Sequence, residues 1–313
     1  MEKDNEIKGI GNSLNFDARI SDPRLGRWLS VDPKADKYPS ESPFNFVSNS
    51  PIVCMDPDGE EKIVISGGAD LHNKNRMNFI MASKVQLKNY LDEVKQAKSK
   101  EKITWMIFDL DYTADEKKQF AAFAKANGLP APVYVKSANE VKNYLNSQNT
   151  KTQNLTDDRK NDQVTDVSAF SHGIPSTVAF GYENTGYDMN KVDKTDFNID
   201  IAKKLDKRAF APGCEFDLFS CNAATPEANL KQDFPTRDAL IKSSLGLPNL
   251  VTELSKAIGQ IVTGYVGRTS YVPAAANKLP TAGRTGGDYS PTVGGKSIKS
   301  IKVKAKNGKA TTN

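Results

Sequence analysis

The sequence predicts an α/β protein in which a mostly parallel sheet carries helices on both faces. Apolar, β-branched runs alternate with amphipathic helical patterns from residue 61 to about residue 270, as in successive βα units. These runs are almost continuously apolar, as in strands buried on both sides. The first sixty residues differ, because Pro, Asp, Ser and Asn favour tight turns between short apolar pieces. We therefore expect a small turn-rich β segment over 1–60, an α/β domain over 61–270 and a low-complexity basic tail over 271–313.

The elements of the α/β domain follow from periodicity and from the residues at their ends. The predicted strands cover 62–68, 103–109, 132–135, 164–173, 215–222 and 260–267. The predicted helices cover 77–99, 113–128, 137–147, 198–210 and 249–259. The second helix illustrates the reasoning, because Thr113 can cap its amino end and Glu116 stands at capping-box spacing.

Three polar segments lack the apolar periodicity that would let them bury a face. Residues 148–163 and about 223–247 are expected to be mobile loops, and little regular structure is expected beyond Thr269. Lys231 and Arg237 in the second loop are candidate processing sites. Because the two loops flank the strands that end near residues 172 and 221, we also expect the isolated protein to be latent.

Composition limits the classes of function. The 43 basic and 38 acidic residues leave a net charge of +5, and six lysines with no acid fall within 296–313, so nucleic acid is an unlikely partner. No apolar run approaches the ~18 residues of a membrane span. The amino terminus lacks the basic and apolar regions of a secretory signal peptide. The three cysteines form neither a disulfide framework nor a zinc-ligand pattern, and no cofactor or metal is expected.

Two predicted strand ends carry the residues with chemical potential. His172 and Gly173 follow the apolar run VSAF, and Cys221 follows FDLFS. The separation of 49 positions from His172 to Cys221 leaves room for one crossover helix, so the two strands can be neighbours in a parallel sheet. An imidazole can take the proton of a thiol, whose thiolate is the nucleophile, and the amides of Gly173 and Cys221 could stabilise an oxyanion.

Each of these residues also has an ordinary structural interpretation. A single cysteine in an apolar strand is most often an inert core residue, and His-Gly most often ends a strand. The pairing of the two strand ends favours a catalytic role, since the chain has only two histidines. Cys214, in the turn APGCEF, is expected to be unreactive.

The first sixty residues resemble the end of the Rhs/YD-repeat-associated core domain, through DARISDPRLGRWLSVDP, ADKYPSESPFNFVSNSPI and DPDG. The resemblance implies a polymorphic toxin, in which a variable toxin domain follows a core that closes a β-cage. Self-cleavage in this family follows the DPxG motif, which here is Asp56, Pro57, Asp58 and Gly59, with Asp32 and Asp56 as candidate catalytic aspartates. The motif is followed by Glu60 where Leu is common in the family.

The later segments VTDVSAFSHG, DIAKKLDKRAFAPGCEFDLFSCNAAT and NLVTELSKAIGQIVTGYVG resemble clan CD (caspase-like) cysteine peptidases. In that clan a His-Gly ends one strand and a Cys ends the next, whereas papain-like enzymes place Cys before His. The resemblance implies that His172 is the general base, Cys221 the nucleophile and Gly173 part of the oxyanion hole.

Together the two resemblances imply an effector toxin of interbacterial competition or of attack on a host, acting as a cysteine endopeptidase without a cofactor. Its expected partners are a target protein, a cognate immunity protein, and the Rhs cage with a type VI-like secretion apparatus that delivers it into a target cell.

Three alternatives remain open at this stage. FDLDYT at 108–113 is similar to the first motif of haloacid-dehalogenase-like phosphatases, in which Asp109 would attack phosphorus and Asp111 would handle the leaving-group proton with Mg²⁺. A nuclease toxin could use His72, although an HNH-type site needs more histidines than the chain has. A non-catalytic binding module would need no reactive thiol.

Overall fold

The computed structural model describes residues 60–71, 75–182, 193–287 and 289–312, and the backbone of four short strands within the first 28 residues. The chain divides into two compact units, Met1–Pro57 and Asp58–Asn313. The four short strands of the first unit form an antiparallel sheet in chain order: Glu2–Lys3, Leu14–Asn15, Ile20–Asp22 and Arg27–Trp28. Asp32 and the DPDG motif lie outside the described residues.

An eight-stranded sheet forms the centre of the second unit, and its mostly parallel arrangement confirms the predicted α/β class. Its strands are β1 (Glu60–Ser66), β2 (Lys102–Phe108), β3 (Val133–Val135), β4 (Gln163–Phe170), β5 (Phe210–Phe219), β6 (Ile261–Val266), β7 (Ile301–Lys306) and β8 (Lys309–Thr312). Their order across the sheet is β8-β7-β6-β5-β4-β1-β2-β3. The first six strands are parallel, whereas β7 runs antiparallel to β6 and β8 antiparallel to β7.

Helices cover both faces of this sheet because alternate residues of each buried strand point to opposite sides. The helices are α1 (Asn78–Ala97), α2 (Ala114–Ala126), α3 (Ala138–Ser147), α4 (Asp157–Asn161), α5 (Ile199–Ala202), α6 (Arg237–Gly246) and α7 (Leu250–Ile258). Val64 of β1 belongs to a core with α1 and α2, while Ile63 and Ile65 belong to a core with α3 and α7. None of the helices in the described ranges combines the length and apolarity that a bilayer crossing requires.

Helix ends form as their capping residues predict. The Thr113 side chain accepts from the Glu116 amide and the Glu116 side chain accepts from the Thr113 amide, which confirms the capping box of α2. Asn249 and Thr252 make the same reciprocal arrangement at α7. The helix predicted over 198–210 is wrong in extent, because it consists of the single turn of α5 and a 3₁₀ turn at Lys207–Ala209.

Short strands and turns lie beyond the carboxyl ends of the main strands. His172–Ile174, Thr177–Ala179 and Asp196–Asn198 form a small antiparallel sheet. Two further pairs are Thr269–Ser270 with Thr281–Ala282, and Asp233–Phe234 with Thr292–Val293. The other 3₁₀ turns are Glu227–Asn229 and Val272–Ala276.

The prediction that 148–163 is a loop throughout is wrong at its carboxyl end, which forms a short helix. The segment contains α4, and the side chain of Arg159 is fully buried with its Nη2 2.7 Å from Oε2 of Glu61 in β1. A long cationic side chain anchors the segment in the interior, so apolar periodicity was not needed to bury it.

The predictions for 223–247 and for the tail are also wrong. The former segment contains α6, whose Leu240 is fully buried. In the tail, β7 joins the central sheet and buries Ile301, Val303 and Ala305, while the lysines between them point outward. This alternation of apolar and basic residues is the period of a strand with one solvent-facing side.

Candidate active site

The candidate site lies where the order of the parallel strands reverses. The chain runs outward from β1 through β2 to β3, and then returns to place β4 on the other side of β1, followed by β5 and β6. In open α/β sheets, ligands bind in the crevice that such a reversal opens at the carboxyl ends of the strands. Asp70 follows β1, His172 follows β4 and Cys221 follows β5, so all three residues lie at this edge.

Cys221 occupies a tight turn directly after β5. This strand pairs in parallel with β4, which confirms the prediction that the strands leading to His172 and Cys221 are neighbours. Asn222 then adopts a left-handed conformation with φ of 58°, and its amide donates to the Gly267 carbonyl at 2.7 Å. The Thr269 amide donates to Sγ of Cys221 at 3.3 Å. The turn therefore holds a partly exposed thiol at the sheet edge.

His172 is oriented by a carboxylate and by two aromatic rings. Its Nε2 lies 2.9 Å from Oδ1 of Asp70, whose side chain is fully buried and whose Oδ2 accepts from Asn78 Nδ2 at 2.8 Å. The Phe79 ring packs against the imidazole with centroids 5.0 Å apart and planes at 88°, and the Tyr182 ring lies at 5.0 Å and 49°. These contacts fix the plane of the imidazole.

The bond to Asp70 also determines which nitrogen of His172 can act as a base. An ionised carboxylate only accepts hydrogen bonds, so Nε2 carries the proton of the neutral ring and Nδ1 carries the lone pair. The same carboxylate stabilises the imidazolium that forms when Nδ1 takes a proton. In that tautomer, Nδ1 is the nitrogen at which the neutral imidazole can accept a proton.

Asp70 is the site residue that sequence reasoning missed. Its position depends on Gly67 and Gly68, where the chain leaves β1 in close contact with neighbouring loops. A Cβ on Gly67 would lie 2.7 Å from Oγ of Ser171, and one on Gly68 would lie 2.7 Å from Cβ of Leu110. The run SGGAD was a usable signal, because two glycines and an acid follow a strand whose carboxyl end lies at the same edge.

Gly173 and Cys221 meet through their backbones. A Cβ on Gly173 would lie 2.1 Å from the Cys221 carbonyl oxygen, a distance that real side chains do not show, and 3.0 Å from its amide nitrogen. Glycine is therefore required at this position by close approach. The geometry places the two amides of the predicted oxyanion hole in adjacent segments.

A cavity of about 250 Å³ adjoins the thiol and the imidazole. His172, Gly173 and Cys221 line one part of it, while Arg268 and Tyr289 line another. Ser290 Oγ, also on its wall, donates to Oδ1 of Asn222 at 2.9 Å. Residues predicted to belong to a structureless tail therefore complete the wall of the cavity.

The two cysteines resolved around β5 are in different electrostatic surroundings. Burial raises the pKa of the Cys221 thiol, whereas the Thr269 amide and the Arg268 guanidinium act to lower it by stabilising the thiolate. Burial also raises the pKa of Cys214, whose side chain is almost fully enclosed. Both thiols have a cationic neighbour that favours the thiolate, Lys62 for Cys214 and Arg268 for Cys221, but of these two cysteines Cys221 alone also accepts a backbone hydrogen bond that stabilises the reactive form.

The residues of the phosphatase alternative lie apart from this cavity. Asp109, after β2, forms an ion pair with Lys117, and the Asp111 carbonyl accepts from Arg76. Within the described ranges, no group of three His, Cys, Asp or Glu side chains is placed to hold a metal ion. His72, the residue of the nuclease alternative, lies outside those ranges.

The fold and the site together define an α/β protein with a thiol, an imidazole and a carboxylate at the switch point of its sheet. No family model matches the chain. No match was found among curated proteins or among solved structures either.

Proposed function

We propose that this chain is a cysteine endopeptidase with Cys221 as nucleophile, His172 as general base and Asp70 as the residue that orients the base. The proposal rests mainly on the hydrogen bond between His172 and the fully buried Asp70. His172 and Cys221 line the same cavity. A carboxylate, an imidazole and a nucleophile in this order are the components of nucleophilic acyl transfer.

The reaction follows from the roles of these groups. Nδ1 of His172 takes the thiol proton, and the thiolate of Cys221 attacks the carbonyl carbon of the peptide bond. The amides of Gly173 and Cys221 donate to the oxyanion that forms. The imidazolium then gives its proton to the leaving amine, which departs and leaves a thioester. Water, deprotonated by His172, attacks the thioester and releases the new carboxyl terminus and the thiol.

Similarity to clan CD (caspase-like) peptidases supports this assignment, because His-Gly and Cys follow neighbouring parallel strands and His precedes Cys in the chain. The Rhs-like motifs of residues 1–60 support the biological setting. In that setting the protein is a toxin delivered by a type VI-like route, an immunity protein protects the producer, and a protein of the target cell is the substrate.

Arg268 extends the proposal to the substrate side chain. The guanidinium lines the cavity, and within the described residues it has no carboxylate partner. It packs on Gly287, where a Cβ would lie 1.8 Å from its Nη2, so it has a defined direction. A cation beside the nucleophile favours a substrate with an Asp or Glu side chain near the cleaved bond.

Expression in bacterial cells that lack an immunity protein tests the proposal. Wild type and Cys214→Ala should be toxic and should generate new protein amino termini detectable by mass spectrometry. Cys221→Ala and His172→Ala should do neither, because each removes a group on which the chemistry depends. Equal toxicity and equal cleavage by wild type and Cys221→Ala would overturn the proposal.

A further inference from the structure

Tyr271 connects the two strand ends that lead to the candidate catalytic pair. Its hydroxyl lies 3.2 Å from the carbonyl oxygen of Ser171 and also contacts the carbonyl oxygen of Phe219, so its single proton is shared between two acceptors. Ser171 immediately precedes His172, and Phe219 is the last residue of β5. One phenolic group therefore bridges β4 and β5 just where the chain leaves them.

The ring of Tyr271 reaches His172 through a single intervening side chain. Phe79 packs edge to face with Tyr271, with centroids 5.1 Å apart, and edge to face with His172, with centroids 5.0 Å apart. Phe79 is almost completely buried, so a displacement of either neighbour is transmitted to the other.

The backbone of the same segment touches the nucleophile. Thr269, two residues before Tyr271, donates its amide to Sγ of Cys221. Burial raises the pKa of the Tyr271 phenol well above its ordinary value, so the hydroxyl remains a donor throughout the neutral pH range. Tyr271 thus influences the positions of three groups, which are the Cys221 thiol, the His172 imidazole and the Thr269 amide.

We propose that Tyr271, which also lines the cavity, is a positioning residue that sets the geometry of the Cys221–His172 pair. This inference rests on the proposed function in one respect, since it takes Cys221 as the reactive thiol. The phenol holds both strand ends at a fixed separation, and its anchored backbone presents the Thr269 amide to the thiol. A small displacement of such groups is enough to slow a reaction strongly.

The test is Tyr271→Phe, which removes only the hydroxyl. The rate at which iodoacetamide alkylates Cys221 is measured between pH 6 and pH 10 by mass spectrometry of the labelled peptide. We expect the rate at neutral pH to fall about tenfold. We also expect the midpoint of the pH profile to move upward, because a displaced Thr269 amide stabilises the thiolate less. Where a cleaved peptide is known, kcat should fall and KM should stay unchanged.

Tyr90→Phe is the matched control. Tyr90 is another buried tyrosine, in α1, with its hydroxyl 3.1 Å from Oγ of Ser168 within β4. It should lower thermal stability about as much as Tyr271→Phe and leave the pH profile of Cys221 unchanged. A folded Tyr271→Phe protein with the wild-type rate and profile would overturn the inference, as would an equal effect in Tyr90→Phe.

A second variant covers the case in which Tyr271→Phe fails to fold. Phe79→Leu keeps the Tyr271 hydroxyl but removes the ring through which Tyr271 acts on His172, and the alkylation rate should again fall several-fold. An unchanged rate would count against the inference. Alkylation needs no peptide substrate, so an altered profile in a protein that cleaves nothing would refute the proposed function while sustaining the role of Tyr271.

Discussion

The amino edge of the central sheet, where its parallel strands begin, and the carboxyl edge, where they end, both bury charged side chains. The two edges use these charges in different ways. At the amino edge, Glu61 is enclosed with Arg159 at 2.7 Å, and Lys102 approaches the same carboxylate at 3.3 Å. At the carboxyl edge, Asp70 is equally buried, yet it bonds to His172, which lines a cavity together with Cys221. The first arrangement neutralises charge with opposite charge, whereas the second connects charge to a group that can move a proton.

Protonation behaviour at the amino edge fits a structural role. Burial alone would raise the pKa of Glu61, but Arg159 and Lys102 outweigh it and hold that pKa below its ordinary value. Burial raises the pKa of Asp166 to about 6, against the opposing effect of Lys62. Perturbed carboxylates therefore occur at the amino edge without any catalytic pair, so it is the nucleophile and the cavity that distinguish the candidate active site.

The largest expected effect comes from Asp70→Asn. The substitution preserves shape but not charge, so it neither fixes the Nε2–H tautomer of His172 nor stabilises the imidazolium. We expect proteolytic activity to fall about 10³- to 10⁴-fold, as the loss of an orienting carboxylate does in a catalytic triad. The measurement is the rate at which new amino termini appear in a target proteome.

Asp109→Asn is the control for that substitution. It alters a carboxylate at the same edge that is paired with Lys117, and it should leave the activity unchanged. If Asp109→Asn is inactive and the wild type releases phosphate only with Mg²⁺, the phosphatase alternative replaces the peptidase.

Arg159→Ala tests the amino edge and should affect the fold rather than the chemistry. Removing the guanidinium leaves Glu61 buried without its main partner, which should lower the free energy of unfolding by about 3–5 kcal/mol. Urea denaturation measures this loss. Lys160→Ala, which removes an exposed pair with Asp157 on the same helix, should change the free energy by less than about 0.5 kcal/mol.

The alkylation rate of Cys221 tests whether the amino edge influences the reactivity of the thiol at the carboxyl edge. The folded fraction of Arg159→Ala should react as fast as wild type. A large drop in that rate with an unchanged unfolding free energy would show that the two edges are not separate in function.

Arg268→Glu should reverse the charge preference of the cavity. We expect cleavage after Asp and Glu to fall about 100-fold, and cleavage after Lys and Arg to rise, because the new carboxylate repels acidic and attracts basic side chains. Sequencing of the new amino termini gives the preference directly. An identical cleavage pattern in both proteins would remove Arg268 from the specificity determinants.

The smallest expected effect is a pH dependence from Asp166, which faces Lys62, Glu93 and Glu101. Its pKa is about 6 in the folded protein against 3.8 for the free side chain, so the folded state binds the proton more tightly. Its contribution to stability is therefore present below about pH 4 and is lost as pH rises through about 6. Asp166→Asn should remove most of that dependence, as urea titrations between pH 4 and pH 7 would measure. A wild-type slope identical to that of the variant would contradict the assignment.

Much of the fold could be predicted because the pattern of each element is local. The strand runs ending near His172 and Cys221, and the crossover length between them, were enough to predict adjacent parallel strands. The capping box at Thr113 and Glu116 could be predicted for the same reason, because the two residues lie only three positions apart in the sequence.

The rest depended on contacts between distant parts of the chain. Asp70 lies 102 residues before His172, and only the sheet order brings them together. Arg159 anchors a polar segment through a partner nearly one hundred residues away, which no periodicity reveals. The tail was misjudged because its lysines dominated the composition, although Ile301, Val303 and Ala305 alternate with them as in a one-sided strand.

Competitive alkylation of Cys214, within β5, and Cys221, just after it, tests the central claim most directly. Cys221 should be labelled by iodoacetamide at neutral pH, while Cys214 should react only after unfolding. His172→Ala should slow labelling of Cys221 at least about tenfold and leave Cys214 unaffected, because the imidazole promotes formation of the thiolate. Equal labelling of the two cysteines in the folded protein, or an unchanged rate in a folded His172→Ala variant, would contradict the account of Cys221 as an activated nucleophile.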